Sequence, residues 1–191
     1  MITVGIDEVG RGCWAGPLVA GAVVLPADFR PEDCLVQLRD SKKLTPQQRE
    51  TAAAWVHGYA PAVGLGWVEP AEIDELGLTE SVRLAMSRAL AEIKLAYDEI
   101  IIDGNINYFA DNPKARAVIK ADDSVPSVSA ASIVAKVARD AYMANLDGRY
   151  AGYGFATHVG YGTAAHITAL KKLGVSDMHR RSYKPVRALL A

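Results

Sequence analysis

The chain has 191 residues, 50% apolar and 23% charged, with a net charge of −1. That supports one domain, or one with a small appendage, around a buried core, and excludes disordered, fibrous and low-complexity classes. Two cysteines, Cys13 and Cys34, give neither a disulfide framework nor zinc-ligand spacing. Residues 2–6 read as a strand, with 17–25 as an antiparallel neighbour after a Gly-rich turn. Residues 18–25 are also the longest apolar run, far short of a membrane span. With no basic, signal-like start, a cytoplasmic protein with no membrane segment is expected. Thr45 and Pro46 open a helix to about 59, and 62–69 alternates as a third strand. Helical spacing of apolar residues predicts a helix over 80–97, capped by Thr79. Strands follow at 99–103 and 115–120, then helices over 129–146 and 163–173 and a basic C-terminal segment. Strands followed by alternating strands and helices imply a mixed sheet covered by helices.

Charge is unevenly placed. Residues 156–191 carry six Lys or Arg against Asp177, leaving −6 for the first 155. An acidic body with a basic tail fits a phosphate-rich partner beside an acidic, metal-binding site. A solvated C-terminal helix face is the simpler reading of the charge alone.

Three strands end in acids: Asp7 with Glu8, Asp103, and Asp122 with Asp123. Any one of these is an ordinary turn residue. Three at equivalent ends of neighbouring strands would converge, and like charges then demand a counterion. No histidine joins the set, so an all-oxygen site points to Mg²⁺ or Mn²⁺ over zinc. Such a site suits phosphoryl transfer, with the metals activating a water and stabilising charge on the leaving oxygen. Neighbours on a strand point to opposite faces, so Glu8 is expected where the strand has already broken. The glycines of Gly10-Arg11-Gly12 would let backbone N–H groups approach a sugar or phosphate.

The motifs "GIDEVGRG", "DSKKLT", "IIIDGN", "KADDSVPSVSAASIVAKVARD", "GYGFATHVGYGT" and "HRRSYKP" occur in order across nearly the whole chain. In this the sequence resembles the bacterial ribonuclease HII family, the type 2 ribonucleases H. The resemblance implies an α/β fold: a ribonuclease H-like mixed five-stranded sheet flanked by helices. Residues 1–150 would form the catalytic domain, and 151–191 a small helical C-terminal extension that binds substrate. It implies an endonuclease that cuts the RNA strand of RNA–DNA hybrids and incises 5′ of single ribonucleotides in duplex DNA. Those two nucleic acids are the implied partners of a monomer holding two Mg²⁺ or Mn²⁺ ions. Asp7, Glu8, Asp103 and Asp122 match the family's catalytic, metal-binding acids. Gly10, Arg11 and Gly12 match its sensor of the ribose 2′-hydroxyl, and Tyr161 the tyrosine that packs on the adjacent deoxyribose. Ser41, Lys42 and Lys43 are expected at backbone phosphate, with Lys136, Arg180 and Arg181 as weaker candidates. Asp123 matches nothing in the pattern, Asp140 reads as structural, and His158, His166 and His179 as packing or surface residues. Cys13-Trp14 stands where Pro-Leu is common, and Val159 where a Lys often precedes Gly-Tyr-Gly. No clamp-binding peptide is evident in "SYKPVRALLA".

Overall fold

The computed structural model describes residues 1–34, 36 and 38–190. Five strands form one sheet: β1 (Thr3–Val9), β2 (Leu18–Val24), β3 (Ala62–Val68), β4 (Glu99–Asp103) and β5 (Ala115–Val118). Their order is β3-β2-β1-β4-β5. β1, β2 and β3 pair antiparallel, while β1, β4 and β5 run parallel, so the last three present their carboxyl ends on one edge. In α/β sheets that edge is where ligands bind. Eight α-helices are seen among the described residues: α1 (Pro46–Tyr59), α2 (Pro70–Leu76), α3 (Leu78–Ala91), α4 (Ala121–Ser124), α5 (Pro126–Arg149), α6 (Phe155–His158), α7 (Ala164–Leu173) and α8 (Lys184–Arg187). None is long and apolar enough to cross a membrane.

α1 starts where its capping signals place it: the Thr45 hydroxyl accepts the Gln48 N–H while the Gln48 side chain accepts the Thr45 N–H. Other boundaries differ from the sequence reading. The segment read as one helix capped by Thr79 is preceded by α2, and Gly77 (φ +75°) separates α2 from α3. α3 ends at Ala91, so Ile93 and Tyr97 pack against the core from the turn beyond it. α5 begins three residues earlier than expected because Pro126 fits the first helical turn, where no N–H is needed. β5 stops at Val118, and Lys120 (φ +58°) turns the chain left-handed into α4.

Strand alternation sorts the core into two faces. Val4, Ile6, Ala20, Ala22, Ile100 and Ile102 pack under α3. On the other face Val23 joins α1 and α5, and Ile101 meets Val128 of α5. There α5 comes down onto the main chain itself. A Cβ on Gly5 would lie 2.2 Å from the Ser127 carbonyl carbon, and one on Gly21 2.4 Å from the Ala131 oxygen. Only glycine permits that approach.

Candidate active site

β1 runs unbroken through Glu8 to Val9, with Glu8 opposite Ala20 and Val9 opposite Val19 on β2. This overturns the expected break at Glu8 and changes the geometry of the acids. Alternation puts Asp7 on the α5 face and Glu8 on the other. The parallel register sets Gly5 beside Ile101, so Asp103, two residues on from Ile101, shares the face of Asp7. Asp122 arrives on α4, and its N–H donates to Asp103 Oδ1 at 3.3 Å. The Ser129 hydroxyl donates to the Asp122 carbonyl (2.7 Å) and fastens α4 to α5. One carboxylate oxygen from each of Asp7, Asp103 and Asp122 lies within 4.8 Å of the others.

Burial dominates the electrostatics. It pushes the Asp7 carboxyl well above the ordinary carboxylate range, with the charges of Glu8 and Asp103 adding to it, while the Ser132 hydroxyl pulls the other way. Asp122 is raised too, by burial and then by Asp103. Among the described residues no Lys or Arg forms an ion pair with Asp7, Asp103 or Asp122. Three converging carboxylates with oxygen donors only and no counter-cation of the protein's own fit a hard divalent ion such as Mg²⁺ or Mn²⁺. Glu8 is raised by burial as well, opposed by Arg11, whose Nη1 lies 3.0 Å from Glu8 Oε1. Glu8 thus ties the acidic floor to the Gly-Arg-Gly loop.

That loop is held from beneath. Gly10 has φ +92°, and a Cβ there would sit 2.4 Å from Arg139 Nε. The Arg11 carbonyl accepts from Arg180 Nη1 (3.1 Å) and the Tyr183 hydroxyl (2.6 Å). Arg180 also donates twice to the Gly16 carbonyl, at 3.0 and 2.9 Å. It is fully buried, so it braces the loop from inside rather than offering a phosphate contact at the surface. Arg139, equally buried, was missed in the sequence. It donates to the carbonyls of Pro17 (2.8 Å), Val159 (2.8 Å) and Ala15 (3.1 Å), joining the 10–17 loop to the segment before Tyr161. The signal was available: Ser132, Ala135, Arg139, Met143 and Leu146 recur at the spacing of one buried helix face.

Asp7, Glu8, Asp103, Asp122, Gly10, Arg11, Gly12, Ser41, Lys42 and Tyr161 all line one cleft of about 530 Å³, together with Arg49, Ser132 and Lys136. Ser41 is buried, its hydroxyl hydrogen-bonded with that of Ser132 at 3.1 Å; Arg49 secures its turn through the carbonyls of Ser41 (3.0 Å) and Leu44 (2.6 Å). Lys43 is not brought into the cleft and pairs with Asp123 instead. Lys136 pairs with Asp140 at 2.8 Å, which agrees with a structural Asp140. The Arg181 N–H donates to Asp74 Oδ2 at 2.8 Å. Cys13 is buried, and Trp14 packs on the backbone at Gly162, where a Cβ would lie 2.2 Å from the indole. His158, His166 and His179 are buried in an aromatic cluster with Phe155 and Tyr153, away from the acids.

Comparison with known proteins agrees with this arrangement. The family model described as ribonuclease HII matches residues 4–186. Ribonuclease HII of Dichelobacter nodosus is 46% identical over 186 residues, covering 97% of this chain and 96% of that protein. Ribonuclease HII of a Synechococcus strain is 47% identical over 187 residues, covering 98% and 83% respectively. Among solved structures, ribonuclease H2 of Pyrococcus horikoshii superposes with a TM-score of 0.83 at 28% identity, covering 99% of this chain and 97% of that one. Sheet topology, converging carboxylates and near full-length similarity agree: the chain belongs to the ribonuclease HII family.

Proposed function

We propose that the chain incises duplex DNA on the 5′ side of single embedded ribonucleotides, leaving 5′-phosphate and 3′-hydroxyl ends, in addition to cutting continuous RNA. Membership of the family makes it an endoribonuclease of the ribonuclease H type, acting on the RNA strand of RNA–DNA hybrids. The observation that carries the finer reading is the shared cleft: three converging carboxylates adjoin the Gly-Arg-Gly loop, with Tyr161 at the rim.

In this reading Asp7, Asp103 and Asp122, with Glu8 on the loop side, hold two divalent ions, Mg²⁺ or Mn²⁺. The chemistry such ions supply when bound is activation of the attacking water and neutralisation of the departing 3′-oxygen. The protein's own part is orientation. Arg180 and Tyr183 take up the Arg11 carbonyl and Arg139 braces the segment behind it at Ala15 and Pro17, so that the backbone N–H groups of Gly10–Gly12 meet a ribose 2′-hydroxyl, the group that distinguishes RNA from DNA. Space above Gly12 is open; a Cβ there would meet nothing within 4 Å. The Tyr161 ring, 40% exposed, packs on the neighbouring deoxyribose, where a further hydroxyl would clash. Ser41 and Lys42 take backbone phosphate, with the basic residues of 151–191 extending that contact beyond the catalytic unit of 1–150. The working form is a cytoplasmic monomer.

The test is a labelled DNA duplex containing one ribonucleotide, beside an all-DNA duplex, each with Mg²⁺, with Mn²⁺ or with EDTA. Metal-dependent incision only on the 5′ side of the ribonucleotide is expected, with end-labelling showing 5′-phosphate. Cutting of both duplexes would refute 2′-hydroxyl sensing. An Asp103→Asn variant with full activity would refute the ligand set.

A further inference from the structure

We propose that His158, His166 and His179 are positioning residues for Tyr161: a chain of neutral imidazoles grips the backbone on both sides of that ring and so sets selectivity at the junction between ribonucleotide and deoxyribonucleotide. The inference rests on the reading of Tyr161 given above.

All three rings are buried, and their partners admit one protonation pattern. The Gly160 N–H donates to His158 Nδ1 at 3.2 Å, so the proton of His158 sits on Nε2, 2.7 Å from the Tyr153 carbonyl. The Tyr161 carbonyl can only accept, so His166 Nδ1, 2.9 Å away, carries the proton and donates to it. His166 Nε2 is then an acceptor and receives the Nε2–H of His179 at 3.0 Å. The one lone pair of His179 Nδ1 in turn is shared between the Ser176 N–H (3.0 Å) and hydroxyl (2.8 Å). Each of the six ring nitrogens thus has one role, donor or acceptor. His158 and His166 stack at 4.2 Å and 13°, with Phe155 edge-on to both.

The turn they hold needs holding. Val159 (φ +45°) and Gly160 (φ +90°) are both left-handed, and for a β-branched residue that conformation persists only where surroundings enforce it. The anchors fall at the Gly160 N–H, in the peptide one residue before the one that enters Tyr161, and at the Tyr161 C=O, in the peptide that leaves it. His179 also forms a β-bridge with Ala15, so the far end of the chain is tied to the segment that follows the Gly-Arg-Gly loop. The imidazole chain therefore fixes the rim tyrosine relative to the loop facing it.

Two substitutions at one position separate grip from bulk. In His166→Asn the amide nitrogen takes the place of Nδ1 and still donates to Tyr161; in His166→Gln it reaches His179 and the grip on Tyr161 is lost. The measurement is kcat and KM on a duplex with one ribonucleotide and on a continuous RNA–DNA hybrid, with Tm recorded for each variant. His166→Gln is expected to lower the single-ribonucleotide to hybrid ratio about tenfold, mainly through kcat, as misplacement of a positioning group does. His166→Asn should keep the ratio within about threefold, and Ser176→Ala, at the far end of the chain, should shift it by about threefold in the Gln direction. A wild-type ratio in a folded His166→Gln protein overturns the inference, as do equal losses in Asn and Gln. Tyr161→Ala is the separate control: an unchanged ratio there overturns the reading of Tyr161 itself, and the inference with it.

Discussion

Asp7→Asn is expected to stabilise the metal-free protein while abolishing its activity. The change keeps the shape and the oxygen that accepts the Glu8 N–H at 2.7 Å, and removes one charge. Asp7 is 7% exposed, and its carboxylate oxygen lies within 4.8 Å of those of Asp103 and Asp122. At that distance and an effective dielectric constant of about 20, each like-charge pair costs about 3.5 kcal/mol. Water entry and partial protonation relieve most of this, leaving about 1–3 kcal/mol, or a Tm gain of about 2–10 °C for a chain of this length. The direction with pH follows from the raised Asp7 carboxyl. A carboxyl that holds its proton more tightly in the folded chain makes folding less favourable as pH rises above its ordinary value of 3.8. The gain of the variant over wild type should therefore be absent near pH 3.5 and grow toward pH 7. Added Mg²⁺ should raise the Tm of wild type and have a smaller effect on the variant, because an ion that binds only the folded state stabilises it. The assay is thermal unfolding in EDTA and in Mg²⁺ across pH 3.5–7.5. A lower Tm for Asp7→Asn in EDTA, or a gain independent of pH, would refute the picture of mutually repelling carboxylates awaiting a cation.

Other expectations come from neighbouring elements. Burial holds His179 down to about 4 from its ordinary 6.5, with the nearby imidazoles adding to it. The folded chain thus binds that proton less readily than the unfolded one, and stability present above pH 6.5 is lost as pH falls toward 4. The loss is about 3 kcal/mol, and denaturant unfolding of His179→Asn should show a flatter pH profile. Gly10→Ala puts a Cβ against Arg139 at φ +92° and should cost about 2–4 kcal/mol, seen as a lower Tm together with lost activity. Lys42→Ala should weaken binding several-fold and reduce the salt slope of binding by about 1, while Lys43→Ala, already paired with Asp123, should change affinity by less than about twofold. Fluorescence anisotropy with a catalytically silent Asp103→Asn background resolves the two.

Much of this was legible because it is local. Thr45 and Pro46 fix where α1 starts, and the strands carry β-branched runs ending in acids. The pairing of Asp103 with Asp7 could be anticipated from strand ends, since parallel neighbours align their termini, whereas Asp122 reaches them from α4, beyond the end of β5. The break expected at Glu8 assumed that all four acids must meet at one point. Register shows the strand has no need to break, because the α5 face already gathers three and Glu8 answers to Arg11 from the other side. Arg180 was illegible for a different reason, and Arg139 was passed over despite its place on a buried helix face: a charged residue reads as surface, and only the tertiary supply of unpaired carbonyls allows such burial. Lys43 shows the converse, a cation at the expected motif whose turn geometry carries it away from the cleft toward Asp123.

The contact of α5 with Gly5 and Gly21 bears on how the molecule tolerates change. Side chains can swap rotamers to absorb a substitution; two main chains in van der Waals contact cannot. The helix that seats Ser132, and through Ser129 the Asp122 turn, meets the strand bearing Asp7 main chain to main chain at Gly5, with Val128 packed on Ile101 beside that contact. One added methyl at either glycine therefore moves the helix and everything it carries, the acids' spacing included. The protein's catalytic tolerance is concentrated in two hydrogen atoms.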